Sequence, residues 1–305
     1  MVVPNDAESS AVVFVAPGPP NSAASGSSEY EVLDPPDYVV SGPSNSGASY
    51  PADHVAPGPP NPALNDVVYV ASTRSTLGLP AYRDIVPAIC ARNRHDLALV
   101  SDDILTPSRV DVEVQHRDTF RVDYIAGFAS QRFSYFVAMQ RSSATADPSS
   151  PLRSYLARVC HADRAFASYV EVPLECRIGE SVYSRVRAVR LTHPGSALAR
   201  DLGFRASTST LTDQHHILVA VFGSGGRASS GGGPQQHAAA STSSSVLCVY
   251  AMRDVRRTFT AAIQKCFRGI GNTGPDHLVQ PKPCFLTVFV ELFITSILHT
   301  THKRL

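Results

Sequence analysis

The residues whose chemistry is most tightly limited by spacing are six cysteines, Cys90, Cys160, Cys176, Cys248, Cys266 and Cys284. No Cys-x-x-Cys occurs, which argues against a zinc ribbon or a thioredoxin-type redox pair. An even count in a loop-rich chain suits disulfides and an oxidising compartment. The histidines are a second set of candidates: His215, His216 and His237 flank a Ser/Gly-rich stretch, and His299 and His302 lie near the C-terminus. None has further ligands at a spacing that would complete a zinc site, so no metal is expected. Residues 269–274, GIGNTG, match G-x-G-x-x-G. A helical pattern precedes them, whereas a pyrophosphate cradle needs a strand before and a helix after. The stretch reads as a glycine-rich loop, and no cofactor is expected. Glu171 and Glu175 fall on one side of an extended segment, roughly 13 Å apart, too far for a retaining carboxylate pair. They read as a solvated outer face. No G-x-S-x-G nucleophile elbow is present, and the reading is non-enzymatic. Arg185 and Arg187, with Arg190 nearby, give a basic strand face, either ordinary wet surface or a patch for an acidic partner or glycosaminoglycan.

Bulk properties narrow the field. The net charge is +1, from 27 basic and 26 acidic residues, so no global field favours nucleic acid or an anionic membrane. A chain that is 43% hydrophobic and 17% charged can bury a core, and its 23 prolines and 19 glycines point to long loops. The N-terminal MVVPNDAESS lacks the basic-then-apolar pattern of a signal peptide. Residues 285–298 are apolar but carry Glu291, and they are shorter than the roughly 20 residues a membrane span needs. No Asn-x-Ser/Thr acceptor site is present.

The elements that must position these residues are strands. Residues 1–66 are low-complexity with one strand-like run, AVVFVAPGPP, part of which recurs about forty residues on; a local duplication explains this better than a blade repeat. From residue 67 the chain reads VVYVAS, then YRDIVPAICAR, with Pro87 making an edge or irregular strand. FRVDYIAGFAS and RFSYFVAMQ are separated by a very short connection, a hairpin signal. SYLARVCH and ASYVEVPLEC follow. In the last of these, Val170, Val172, Leu174 and Cys176 alternate with Tyr169, Glu171, Pro173 and Glu175. Pro173 places that strand at a sheet edge, because a central strand needs its N–H. Residues 124–176 therefore read as one up-and-down sheet of four strands, the unit of a propeller blade. The series restarts with SRVRAVRL, HILVAVFG and SVLCVYAM. Two short helices are expected, at residues 196–204 and at residues 254–266. The second has Asp254 as N-cap and Val255, Phe259 and Ile263 on one face.

VVYVAS, YRDIVPAI, FASQRFSYFVAMQR, ARVCHAD, ASYVEVPLEC, ILVAVFG and VLCVYAMRDV, in that order, resemble the sema domain of plexins and, beyond it, the related scatter-factor receptors. The likeness covers residues 67–266, and SYVEVPLEC is its most specific piece. It implies an all-β fold, a partial β-propeller that is seven-bladed when complete, with short helices in insertions between strands. The expected division is a low-complexity segment over 1–66, a partial sema domain over 67–283 and an unrelated apolar tail over 284–305. The resemblance implies the extracellular side of a plasma-membrane receptor, a semaphorin as protein partner and receptor self-association through the ectodomain, with membrane attachment through parts outside this chain. It also implies disulfides. Cys176 resembles the cysteine that pairs with the one here at Cys248; the alternative is two reduced, buried cysteines. Cys160 resembles one whose partner lies past Cys266; either that partner is missing or Cys284 stands in for it. Cys90 has no counterpart, and no ligand-contacting residue is identified. Residues 224–245 are a candidate for variable contacts, with plain disorder the alternative. The rivals are a scatter-factor-type receptor kinase and a propeller glycosidase, the latter requiring converging acidic residues at the central channel.

Overall fold

The computed structural model describes residues 10–19, 66–73, 86–143, 150–204, 215–223, 245–268 and 277–279. Its first sheet contains β1 (Ala11–Pro17), β2 (Asp66–Ser72), β3 (Ile89–Asn93) and β4 (Arg109–Val110), hydrogen-bonded in that order. The second contains β5 (Asp123–Ser130), β6 (Phe133–Gln140), β7 (Arg153–Cys160) and β8 (Val170–Pro173). A small hairpin, β9 (Cys176–Ile178) with β10 (Ser181–Tyr183), leads into a third sheet of β11 (Arg185–Thr192), β12 (Ile217–Gly223) and β13 (Ser245–Ala251). Every pairing is antiparallel. Helix α1 spans Ser196–Asp201 between β11 and β12, and α2 spans Met252–Phe267 directly after β13.

β6 explains the stacking. Its sequence, FSYFVAMQ, is apolar at consecutive positions, the mark of a strand buried on both faces. Phe136 and Ala138 pack into a core shared with β1, β2 and β3 of the first sheet. Tyr135, Val137 and Met139 point the other way, into a core shared with Leu218, Ala220 and Phe222 of β12 and with Met252, Val255 and Phe259 of α2. The side-chain period of two thus serves two cores at once. The second sheet lies between the other two, and the assembly is the blade-on-blade packing of a partial β-propeller.

The first interface is aromatic. Phe14 stacks on Tyr69 at 5.4 Å between ring centroids, and Phe136 meets both edge-on. Phe14 reaches this position because β5 has a glycine beneath it. A Cβ at Gly127 would lie 2.2 Å from the Phe14 ring. Gly127→Ala is therefore expected to lower the unfolding free energy by about 1–3 kcal/mol, as overpacking does. Chemical denaturation checks this, and an unchanged midpoint would show that Phe14 swings aside freely.

The second interface has a polar tie. Ser154, fully buried in β7, donates through Oγ to the Ser184 carbonyl at 2.9 Å, and the same oxygen accepts the Val186 N–H at 2.7 Å. One hydroxyl thereby satisfies a donor and an acceptor where the chain enters β11.

Several expectations need correction. The boundary at residue 66/67 falls inside the first sheet: β1 lies upstream and pairs along its whole length with β2. A long insertion in a hairpin loop costs little extra closure entropy, so strand pairing survives it. The strand expected to contain Pro87 begins only at Ile89, past the residue that lacks an N–H. Helix α2 starts at Met252 with Ala251 as N-cap; Asp254 stands in its first turn, where its charge favours the N-terminal dipole. A register shift between Val186 and Ala188 makes Arg187 a bulge residue, so Arg185 and Arg187 do not share a regular strand face.

Candidate protein-recognition surface and the inter-blade staple

The connection between β3 and β4 presents apolar side chains to solvent on an ordered frame. It begins with a turn in which Leu97 takes a positive φ of 57°. Arg92 holds that turn by donating to the Leu97 carbonyl at 2.7 Å, and the Asp96 carboxylate accepts the Ala98 N–H at 3.0 Å. Residues 98–100 then run back along β3, with the Asn93 and Val100 amides donating to Ala98 and Ala91. The loop base closes between the Ser108 N–H and the Ser101 carbonyl at 2.8 Å, and the Ser108 hydroxyl ties it to the second sheet by donating to the Arg164 carbonyl at 2.6 Å. Within the tip, one Asp103 oxygen accepts the amides of Leu105 at 2.7 Å and Thr106 at 3.2 Å. The aspartate satisfies the backbone locally, as turn aspartates do. It leaves Ile104 and Leu105 pointing outward, 96% and 88% exposed. Val114 is exposed on the 3-10 turn Val114–His116 that follows β4. An aliphatic pair displayed on a braced tip is a ready contact for an apolar pocket on a partner. Sequence reasoning missed it: the signal was DDIL, two apolar residues inside an acidic, proline-bounded stretch with no strand or helix period.

The disulfide chemistry lies at the other interface. Cys176, at the start of β9, is joined to Cys248 in β13, with Cα atoms 6.0 Å apart and a sequence separation of 72. Beside it the Tyr250 hydroxyl donates to the Glu175 carbonyl at 2.8 Å, and burial pushes the Tyr250 phenol up to about 12. The pairing of Cys160 with Cys284 requires correction, because Cys160 carries a free thiol at the end of β7. The chain there turns back at once. Asp163 accepts from the Ala165 and Ser168 amides, Ser168 Oγ accepts the Cys160 N–H, and this turn contains no cysteine. Cys284 lies outside the described residues. Cys266, for which the sequence suggested no role, is disulfide-bonded to a partner outside the described residues. Cys90 is a buried free thiol whose pKa burial raises.

The two glutamates part company. Glu171 is half-buried in β8 and accepts hydrogen bonds from the Tyr169 hydroxyl at 2.7 Å and Gln140 Nε2 at 2.5 Å. It is not on a solvated face, because Tyr169 packs into the first core beside it. Glu175 lies beyond the end of β8 and pairs with Arg177 at 3.0 Å and Arg153 at 3.8 Å. His215 and His216 precede β12: His215 meets the Phe204 ring edge-on, and His216 sits 3.3 Å from the Ser130 hydroxyl and against His193. His237, His299, His302, the GIGNTG stretch and most of 224–245 lie outside the described residues. Among the described residues no three His, Cys, Asp or Glu side chains gather as metal ligands. Likewise none of the described helices is long and apolar enough to cross a membrane.

His161 gives a measurable pH response. It is 8% exposed, its Nε2 is buried without a hydrogen-bond partner, and burial lowers its pKa from 6.5 to about 4. The unfolded chain therefore takes up this proton at higher pH than the folded one. Stability from this site is full above about pH 6.5 and falls as pH drops towards about 4. His161→Phe is expected to flatten that part of the curve; urea midpoints measured from pH 8 to pH 4 check it.

No family model matches the chain. Curated relatives do. Plexin-A4 of Danio rerio is 31% identical over 160 residues, covering 50% of this chain and 8% of that protein. Plexin-A4 of Homo sapiens is 30% identical over 170 residues, covering 54% and 8%. The solved extracellular region of plexin A4, domains 1 to 8, superposes with a TM-score of 0.52 at 26% identity, over 68% of this chain and 22% of that one. The chain is similar to the sema region of plexins. It spans less than a tenth of the length of these curated plexins. Plexin A3 of Danio rerio matches over a longer stretch, 28% identical over 193 residues and 62% of the chain. The β-propeller reading of the three sheets and the plexin-type likeness thus agree.

Proposed function

We propose that this plexin-type chain is a ligand-recognition segment of a cell-surface receptor, working outside the cell by binding a semaphorin without catalysis. The observation that carries the reading is the Ile104–Leu105 tip, an exposed aliphatic pair held by its own hydrogen bonds on a blade of plexin type. A stack of blades supplies a stiff base, and a loop projecting from it supplies the contact. Burying two aliphatic side chains contributes about 3–6 kcal/mol, enough to anchor a protein interface whose rim is polar. The receptor's self-association through its ectodomain belongs to the same proposal. The test is biolayer interferometry of the purified chain against a panel of semaphorin ectodomains. Saturable binding to at least one is expected; absence of binding to all of them, by a chain with a cooperative thermal transition, overturns the reading.

A further inference from the structure

Arg158 occupies an inward-facing position of β7, between Leu156 and Cys160, where the strand pattern calls for an apolar residue. It is 7% exposed. Its guanidinium lies 4.2 Å from the centre of the Phe133 ring and 4.6 Å from that of Phe259 on α2. The rings cover the faces of the cation and leave its N–H edge for polar partners. No carboxylate pairs with it among the described residues. A second guanidinium, Arg256, lies one turn before Phe259 on α2, and its Nη1 is buried without a hydrogen-bond partner. Tyr135 stands directly across from Arg158 in the β6–β7 register, with its ring 6.0 Å from that of Phe259 and its hydroxyl buried.

Three donor groups converge, the site carries two positive charges, and no acceptor of matching charge is supplied by the surrounding strands and helix. Buried charge without a counter-charge is strongly disfavoured, and a planar guanidinium edge matches an oxyanion with two parallel hydrogen bonds. We infer that Arg158, Arg256 and the Tyr135 hydroxyl form an oxyanion site between the second sheet and α2, taking a carboxylate or a sulfate group. Arg256 is half-buried, so the site opens to solvent along the helix. Phe259 serves both as core residue and as the wall against which the cation is held. The inference stands independently of the proposed ligand.

The experiment is a titration of the full chain with sodium sulfate and, separately, sodium acetate, each against sodium chloride at matched ionic strength. The readouts are the thermal midpoint and the heat of binding. The chain is expected to gain a higher midpoint and a saturable heat with sulfate or acetate, and the responsive anion identifies the group. Arg256→Gln, a change on the half-buried side, is expected to weaken binding at least about tenfold, the loss of one charge-assisted hydrogen bond. Arg158→Met is expected to abolish it. If the parent responds to both anions as it does to chloride, or if Arg256→Gln keeps the parent's affinity, the inference fails. The Arg256 variant decides the matter even if Arg158→Met does not fold.

Discussion

Replacing Ile104 and Leu105 together by serine is expected to weaken the proposed semaphorin binding at least about 100-fold, the equivalent of losing roughly 3 kcal/mol of apolar burial. The same change should leave the unfolding midpoint where it was. Neither side chain belongs to either core, and both lie almost wholly in water before binding. That contrast makes the measurement decisive: a core mutation moves stability and binding together, a contact mutation moves binding alone. The frame can be tested beside the contact. Asp103→Ala removes the acceptor for the Leu105 and Thr106 amides without touching the aliphatic pair. A smaller loss of affinity in that variant would come from a tip that must be ordered on binding. A double-serine variant that binds like the parent would move the recognition site elsewhere on the chain.

Removing the Cys176–Cys248 link by alanine at both positions is expected to lower the unfolding free energy by about 4 kcal/mol, the chain-entropy value for a closed loop of this length. The loop holds 72 residues of sequence separation and includes all of β11 and β12. Denaturant unfolding of the parent under oxidising conditions, set beside the double variant, gives the difference. A change under about 1 kcal/mol would show that the second interface holds by packing alone. Single variants are less informative, because each leaves a free thiol that can attack the Cys266 disulfide.

Where the chain's pattern has a period, the sequence was readable. SYLARVC and SYVEVPLEC give β7 and β8 with Val170 and Val172 buried and Pro173 on the sheet edge as its missing N–H requires; the strand ends there, short of the expected Cys176, which is buried at the start of β9. The face of α2 carrying Val255 and Phe259 was equally plain. Other features had no local signature. The pairing of β1 with β2 spans an insertion whose composition hides the strand on its far side. The bulge at Arg187 shows in the pairing of β11 with β12 and has no signature in SRVRAVRL. Glu171 was read as wet because strand alternation put it opposite Val170 and Val172; the first core lies on that side through Tyr169, and hydrogen bonds from Tyr169 and Gln140 hold it half-buried instead. The exposed tip was invisible for a related reason: exposure of Ile104 is a property of the folded loop, and an apolar residue in a sequence gives no sign that it will stay in water.

The strand-like contact of Val112 with Leu278 carries a further implication. Around it the Glu113 N–H donates to the His277 carbonyl and the Val279 N–H to that of Asp111, while the His277 ring lies 4.2 Å from Phe120 and Leu278 is sealed in the first core. The first blade is thus finished by residues made roughly 170 positions later. At about 5–20 residues per second of synthesis, that blade waits on the order of ten seconds on the ribosome with its flank open. During this interval a chaperone has a defined place to bind, and a premature stop before His277 would strand the nascent chain at that stage.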